Sequence, residues 1–221
     1  MIALSKSPAP EVVVVNAVIW TENYVEAART GDARKAERWR HSEILRALRE
    51  ETGERCAYCE SLIDDVAYPH VEHIAPKGKF PELAHAWGNL TWACPKCNIA
   101  KGDFYHPTDG LLNPFVDEPL DHMDFVGAMV LPKLNRPRGR LTERKLRLNR
   151  SGLLKSRGRR LENLLALVQE WNLADGALRA VLDEAIRRDV DAGEYRQSAL
   201  AFLSCLGFPD DASTPSAVDP S

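Results

Sequence analysis

The sequence has no apolar run approaching the roughly 18 residues that a membrane-spanning helix needs, so we expect no association with a membrane. Its most apolar N-terminal run, residues 12–20, is interrupted by Asn16 and has neither a basic leader nor a small-residue cleavage site. A signal peptide is therefore not expected, and we predict a cytoplasmic location. Strong overall charge is also missing, because 29 Lys and Arg against 32 Asp and Glu give a net charge of −3. This balance excludes a uniformly basic nucleic-acid-binding protein.

The composition is that of a globular protein. Hydrophobic residues make up 44% of the 221 positions and charged residues 28%, which excludes global disorder and a coiled coil. The length corresponds to one or two domains. Helical periodicity dominates the predicted elements except between residues 55 and 113, so we predict an α+β fold that is mostly α.

The predicted helices flank the irregular segment on both sides. Two lie in the N-terminal region, the second over residues 33–51, and a short one follows at residues 98–104. A hairpin of residues 123–126 and 128–131 precedes a basic helix that opens at Leu141 and includes Arg150. Three further helices are predicted at residues 153–171, 177–190 and 195–206, where Cys205 is expected in the core.

Positive charge is concentrated in one segment. Residues 133–160 contain 12 Lys and Arg and one acid, a local charge of +11, which leaves −14 for the rest of the chain. Such a segment could neutralise several phosphates, with Arg144, Lys145 and Arg147 as candidate nucleic-acid contacts. A solvated helix face, or a patch that pairs with acidic residues of a partner, is an equal alternative.

Four of the five cysteines form two Cys-x-x-Cys pairs. Cys56 and Cys59 are separated from Cys94 and Cys97 by 34 residues. Two such pairs can supply the four thiolates that tetrahedral zinc prefers, and four thiolates leave no open position for a substrate. We therefore predict a structural zinc site; a redox pair is the alternative for either motif alone.

The segment between the two cysteine pairs resembles the HNH endonucleases. That family combines Cys-x-x-Cys, acid-His-Ile-x-Pro, Asn-Leu and Cys-x-x-Cys-(His/Asn)-x-x-Lys in this order. The corresponding runs here are Cys56-Ala57-Tyr58-Cys59, Glu72-His73-Ile74-Ala75-Pro76, Asn89-Leu90 and Cys94-Pro95-Lys96-Cys97-Asn98-Ile99-Ala100-Lys101. The resemblance implies a zinc-clamped ββα-metal core embedded between helical regions. We set the boundaries at residues 1–53, 54–113 and 114–208, with a flexible tail at 209–221.

The resemblance also implies a catalytic role for each motif residue. His73 is the expected general base, since an imidazole with a pKa near 6.5 suits proton transfer at neutral pH. Glu72 and Asn98 are implied as ligands of a catalytic Mg²⁺ or Mn²⁺, and Asn89 as the residue that holds the loop and orients His73. Where this chain has Glu72, many members have Asp, which is shorter by one methylene.

Three further side chains near the motif are candidate contacts. Lys101 and Lys77 could bind phosphate, although solvated surface is an equal alternative for Lys77. His85 could touch substrate or metal, or lie on the loop surface.

Longer runs extend the resemblance to one group within the family. Residues 71–90, 111–114 and 146–150 are similar to the HNH subunits of Septu-type anti-phage systems (the PtuB family), which also occur beside retron reverse transcriptases. This resemblance implies a bacterial defence nuclease that works with an ABC/SMC-like ATPase subunit (PtuA), and we expect it to cleave phosphodiester bonds in DNA. RNA cleavage remains open, as does a non-catalytic zinc module that binds nucleic acid or a partner.

Overall fold

The computed structural model describes residues 1–63 and 70–209. The first residues of the strand expected before His70, and all of the predicted tail except Pro209, lie outside the described residues. The chain divides into two compact units. The first comprises Met1–Asp124 and Val130–Arg150, and the second comprises Phe125–Met129 and the chain from Ser151 onward.

The described residues form seven α-helices and two small antiparallel sheets, which confirms the mostly α, α+β fold class. In chain order these are α1 (Glu11–Arg29), α2 (Ser42–Glu51), β1 (His70–His73), β2 (Leu90–Ala93), α3 (Pro95–Lys101), β3 (Met123–Val126), β4 (Met129–Pro132), α4 (Pro137–Leu146), α5 (Ser151–Leu173), α6 (Gly176–Ala192) and α7 (Arg196–Cys205). The strands β3 and β4 form the expected hairpin. Within the described ranges, no helix combines the length and the apolarity that crossing a membrane requires.

A ββα unit forms the centre of the first compact unit. Strands β1 and β2 are antiparallel, and their register pairs His73 with Leu90 and Glu72 with Thr91. The chain passes from β2 through Cys94 directly into α3, whose first turn begins with Pro95. Proline is favoured there because its missing N–H would have no partner within the helix. All four side chains of β2 are buried, whereas only the last two of β1 are, so β2 is the more buried strand of the unit.

The prediction of one continuous helix over residues 33–51 is wrong. The structure has a single 3₁₀ turn at Ala33–Ala36, and α2 begins only at Ser42. Between them the chain leaves helical geometry, and Trp39 becomes buried with its ring 5.2 Å from the ring of Tyr24. The side chain of His41 then accepts a hydrogen bond from the N–H of Glu43 at the start of α2. Tertiary burial of one indole therefore overrides a favourable local helix propensity.

The predicted bounds of two other helices also need correction. Helix α3 begins at Pro95 rather than at Asn98 and ends at Lys101, and its C-cap Gly102 has a φ of +57°, in the left-handed region. Helix α4 runs Pro137–Leu146 instead of opening at Leu141, and Arg147 ends it with a φ of +52°. Arg150 therefore lies in the turn beyond α4 and not on a basic helix.

The second compact unit is helical. Helices α5, α6 and α7 pack around an apolar core formed by Leu161, Leu164, Val168, Trp171, Ile186, Val190, Ala199, Leu203 and Phe208. Cys205 is exposed, so its predicted place in the core is wrong. Ala199 and Leu203 lie one turn apart and define the buried face of α7, whereas Cys205 lies two positions beyond Leu203 and thus on another face.

Candidate active site

The four paired cysteines converge at one point. Their sulfur atoms all lie within 4.8 Å of one another, and the sulfurs of Cys59 and Cys94 are 3.8 Å apart. Tetrahedral zinc with bonds of about 2.3 Å separates its sulfur ligands by about 3.8 Å. The donor set and its spacing therefore fit a structural zinc ion, as the sequence predicted.

Backbone hydrogen bonds hold the two cysteine pairs in place. An isolated bridge between Arg55 and Leu62 closes the loop that contains the first pair. The N–H of Ala57 donates to the carbonyl of Trp92 on β2, at 2.9 Å. The second pair spans the first turn of α3, where the N–H of Cys97 donates to the sulfur of Cys94. The zinc site thus joins the loop between Arg55 and Leu62, the end of β2 and the start of α3.

A cleft of about 290 Å³ lies beside the zinc-clamped unit, between β1, the loop after it and α3. Its lining residues are Val71, Glu72, His73, Pro76, Lys77, Gly78, Asn98, Ile99, Gly102 and Asp103. The structure therefore brings four of the candidate residues together: Glu72, His73, Lys77 and Asn98.

His73 is held in one tautomer at the cleft. Its Nε2 lies 2.9 Å from the carbonyl oxygen of Ala84, and because a carbonyl only accepts, Nε2 carries the proton. The other ring nitrogen, Nδ1, is then the basic one. The ring also packs edge-on against Trp39, with 4.8 Å between centroids. Burial, and next the charge of Lys77, lower the pKa of His73 from 6.5 to about 3, so the ring is neutral at physiological pH.

Asn89 fastens the loop that carries the acceptor of His73. Its side-chain oxygen accepts from the N–H of Ala75 at 2.7 Å, and its amide donates to the carbonyls of Ala75 and Leu83, both at 3.0 Å. Leu83 immediately precedes Ala84, the partner of His73. The amide therefore ties both ends of the loop together and fixes the carbonyl that orients the imidazole.

Glu72 and Asn98 line the same cleft. The carboxylate of Glu72 is buried and receives a hydrogen bond from the hydroxyl of Tyr58. Burial raises the pKa of Glu72, whereas Lys101 and Tyr58 act in the opposite direction. The side chain of Asn98 makes no hydrogen bond to another described residue. A carboxylate and an amide oxygen at one cleft fit a hard divalent cation.

Lys101 lies inside the protein, with only 3% of its surface exposed. Its ammonium is 2.6 Å from Oε1 of Glu72 and 2.8 Å from the carbonyl oxygen of His73. These two contacts link the C-terminal turn of α3 to β1. Lys101 is consequently an internal partner of Glu72 in this structure, and it does not line the cleft.

The other candidate nucleic-acid contacts lie outside the cleft. Arg144 and Arg147 are exposed, and the ammonium of Lys145 lies over the ring of Phe104, 5.6 Å from its centroid. Parts of the basic segment are engaged within the protein: Arg138 forms an ion pair with Asp117, and Arg157 is buried. The segment is therefore not one continuous free patch.

Two aromatic side chains support the site in roles that the sequence did not indicate. Trp39 contacts the His73 ring, and the ammonium of Lys77 lies 5.1 Å from the Trp39 ring centroid. His85 is fully buried, with Nε2 accepting from the N–H of Arg38 and Nδ1 3.4 Å from the hydroxyl of Thr21. It is a packing residue beneath the loop, neither exposed nor in the cleft. Both roles depend on contacts between segments that are distant in the chain, and no local sequence pattern predicts such contacts.

His85 makes the stability of the fold dependent on pH. Burial, and next the charge of Arg38, lower its pKa from 6.5 to about 4. The neutral ring contributes stability that is fully present above pH 6.5 and is lost as the pH falls through 4, with a slope of at most about 1.4 kcal/mol per pH unit. We expect the wild type to have a higher free energy of unfolding than His85→Gln at pH 7.5, and we expect this difference to shrink as the pH is lowered to 5. Urea denaturation at each pH measures it. A difference that stays constant over this range would contradict the lowered pKa of His85.

The ββα unit, the four-cysteine clamp and the histidine at the end of β1 define a domain of the HNH endonuclease class. The family model of the HNH endonucleases matches residues 56–104. This match runs from the first zinc-clamp cysteine to just beyond α3, so the chain carries an HNH endonuclease domain.

The chain is also similar to two curated Septu proteins. It is 37% identical to the Septu protein PtuB of Bacillus thuringiensis over 86 residues, which cover 38% of this chain and 34% of that protein. It is 27% identical to the Septu protein PtuB of Bacillus mycoides (strain KBAB4) over 119 residues, 40% of each chain. The matches thus span less than half the length of these relatives.

Proposed function

We propose that this protein is a metal-dependent endonuclease that hydrolyses phosphodiester bonds in DNA, and that it acts in a Septu-type anti-phage defence system. The observation that carries the proposal is the hydrogen bond that fixes the tautomer of His73 at a cleft that Glu72 and Asn98 also line. The similarity to Septu proteins supports the setting in phage defence.

In this mechanism His73 acts as the general base. Nδ1 takes a proton from the attacking water, while Nε2–H remains hydrogen-bonded to the carbonyl oxygen of Ala84 and keeps the ring aligned. Asn89 holds the loop that supplies this carbonyl. Because burial lowers the pKa of His73, Nδ1 is unprotonated at working pH and can accept a proton.

Glu72 and Asn98 would hold the catalytic cation, which supplies Lewis-acid stabilisation of the negative charge on phosphate and leaving oxygens. Lys101 binds Oε1 of Glu72 and so leaves the second carboxylate oxygen for this task. Lys77, which lines the cleft, is the candidate contact for a substrate phosphate. Arg144, Lys145 and Arg147 remain candidates for longer-range backbone contacts.

The choice between DNA and RNA is tested with the pure chain and a substrate panel. Supercoiled plasmid, linear DNA and RNA are incubated with Mg²⁺ or Mn²⁺, and products are separated on gels. We expect metal-dependent cleavage of DNA. Cleavage of RNA alone would replace DNA with RNA as the substrate, and no cleavage by a zinc-loaded, folded chain with or without its partner would favour a non-catalytic module.

A partner ATPase of the ABC/SMC-like kind (PtuA) is part of the proposal. The Septu similarity and the exposed apolar side chains of α1, among them Val14, Val15 and Val18, support such a partner. Because an unregulated nuclease is toxic, we expect weak cleavage by the isolated chain and faster cleavage when the ATPase is added. Vigorous cleavage by the chain alone, unchanged by the ATPase, would contradict this gating.

A further inference from the structure

The turn after α4 places a guanidinium against the zinc-binding sulfurs. Arg150 Nη1 lies 3.6 Å from the sulfur of Cys97, and Nη2 lies 3.6 Å from that of Cys59 and 3.9 Å from that of Cys94. One side chain thus directs N–H donors at three of the four cysteines. The sequence pattern gave no reason to separate Arg150 from the other basic residues of its segment.

The contact matters because the cluster is negatively charged. Four thiolates around Zn²⁺ carry a net charge of −2, and this charge is poorly solvated because Cys56, Cys59 and Cys97 are buried. A guanidinium offsets part of the charge, and its planar fork can donate several hydrogen bonds at once. We propose that Arg150 stabilises the zinc-bound thiolates through N–H···S hydrogen bonds and thereby increases the affinity of the protein for zinc.

The backbone around Arg150 is fixed independently of the sulfurs. Arg147 adopts the left-handed conformation, and Leu148 is fully buried. The side chain of Asn149 accepts from the N–H of Val130 at 2.9 Å and donates to its carbonyl at 2.7 Å. The turn is therefore held by contacts other than those of Arg150 with the sulfurs, and Arg150 links the cysteine cluster to the segment that follows α4.

The test compares zinc affinity in two full-length variants that each lose one positive charge. Arg150→Gln removes the guanidinium and its charge, leaving only a shorter, neutral amide, and Arg140→Gln removes an exposed arginine of α4 as the control. Zinc dissociation constants are measured by competition with a chromophoric chelator. We expect Arg150→Gln to weaken zinc binding about 10- to 100-fold, the effect typical of residues that hydrogen-bond to metal ligands, and Arg140→Gln to match the wild type. Equal affinities in all three proteins would overturn the proposal.

Arg150→Lys and cobalt substitution separate a hydrogen-bonding role from a purely structural one. Lysine keeps the charge but cannot reach three sulfurs with a planar fork, so we expect a zinc affinity between those of the wild type and Arg150→Gln. In Co²⁺-loaded protein the loss of N–H···S bonds should move the thiolate-to-cobalt charge-transfer band to longer wavelength, because the sulfur electrons are less stabilised. If Arg150→Gln does not fold, Arg150→Lys still decides: unchanged zinc affinity and an unchanged band would overturn the proposal.

Discussion

Replacing Lys101 with methionine is expected to lower the free energy of unfolding by about 3–5 kcal/mol, the typical cost of leaving one member of a buried ion pair without its partner. Both side chains are almost fully buried, with the ammonium 2.6 Å from Glu72 Oε1. Methionine fills similar space, but among the described residues it leaves the carboxylate with only the Tyr58 hydroxyl as a hydrogen-bond donor. Urea denaturation of the zinc-loaded variant at pH 7.5 measures the effect.

Two control variants identify the source of this loss. Lys79→Met removes a half-exposed lysine that pairs with Asp103, and it should cost less than about 1 kcal/mol, as exposed ion pairs do. The double variant Lys101→Met/Glu72→Gln removes the orphaned charge and should recover much of the stability. Equal losses in Lys101→Met and Lys79→Met would show that the buried pair contributes nothing special.

Removal of zinc is expected to unfold the ββα unit, since structural zinc sites contribute about 10–16 kcal/mol of apparent binding free energy in small zinc-finger peptides. The four cysteines connect the first loop, β2 and α3. Without the metal, the unit consists of two four-residue strands and one short helix, which bury little apolar surface between them. Helices α5, α6 and α7 have their own apolar core, so they should persist.

Hydrogen exchange followed by mass spectrometry measures this loss region by region. After treatment with a strong zinc chelator, we expect amide protection to fall between residues 55 and 101 and to remain in α5 and α6. Cys97→Ser should give the same pattern without a chelator. Full protection of residues 55–101 in the chelated protein would contradict a structural role for zinc.

The zinc frame and the ββα unit were predictable because their signals are local. Each Cys-x-x-Cys pair turns its two sulfurs toward one point, and the paired spacing selects zinc irrespective of the surrounding fold. The motif that contains Glu72, His73, Asn89 and Asn98 likewise assigned its residues to one cleft, where the structure places all but Asn89. Asn89 lies outside the cleft and hydrogen-bonds the backbone of the loop that supplies the acceptor of His73.

The remaining features depend on contacts between distant segments. Trp39 leaves an otherwise helical run because burial against Tyr24 and His73 outweighs helix propensity. Lys101 belongs to the motif, but only the packing of α3 on β1 reveals that its ammonium meets Glu72. The sequence pattern did not distinguish Arg150 from its basic neighbours. Only the end of α4 at Leu146, and the turn that follows it, bring Arg150 to the cysteines.

The measurement that tests the central claim most directly is metal-dependent plasmid cleavage by the wild type, His73→Ala and His70→Ala at equal zinc content. His70 lies on the same strand but outside the cleft, so it is the matched control. We expect His73→Ala to lower the cleavage rate by about 10²- to 10⁴-fold, the usual contribution of a general base, and His70→Ala to stay close to the wild type. Cleavage by His73→Ala at the wild-type rate would contradict the assignment of His73 as the base.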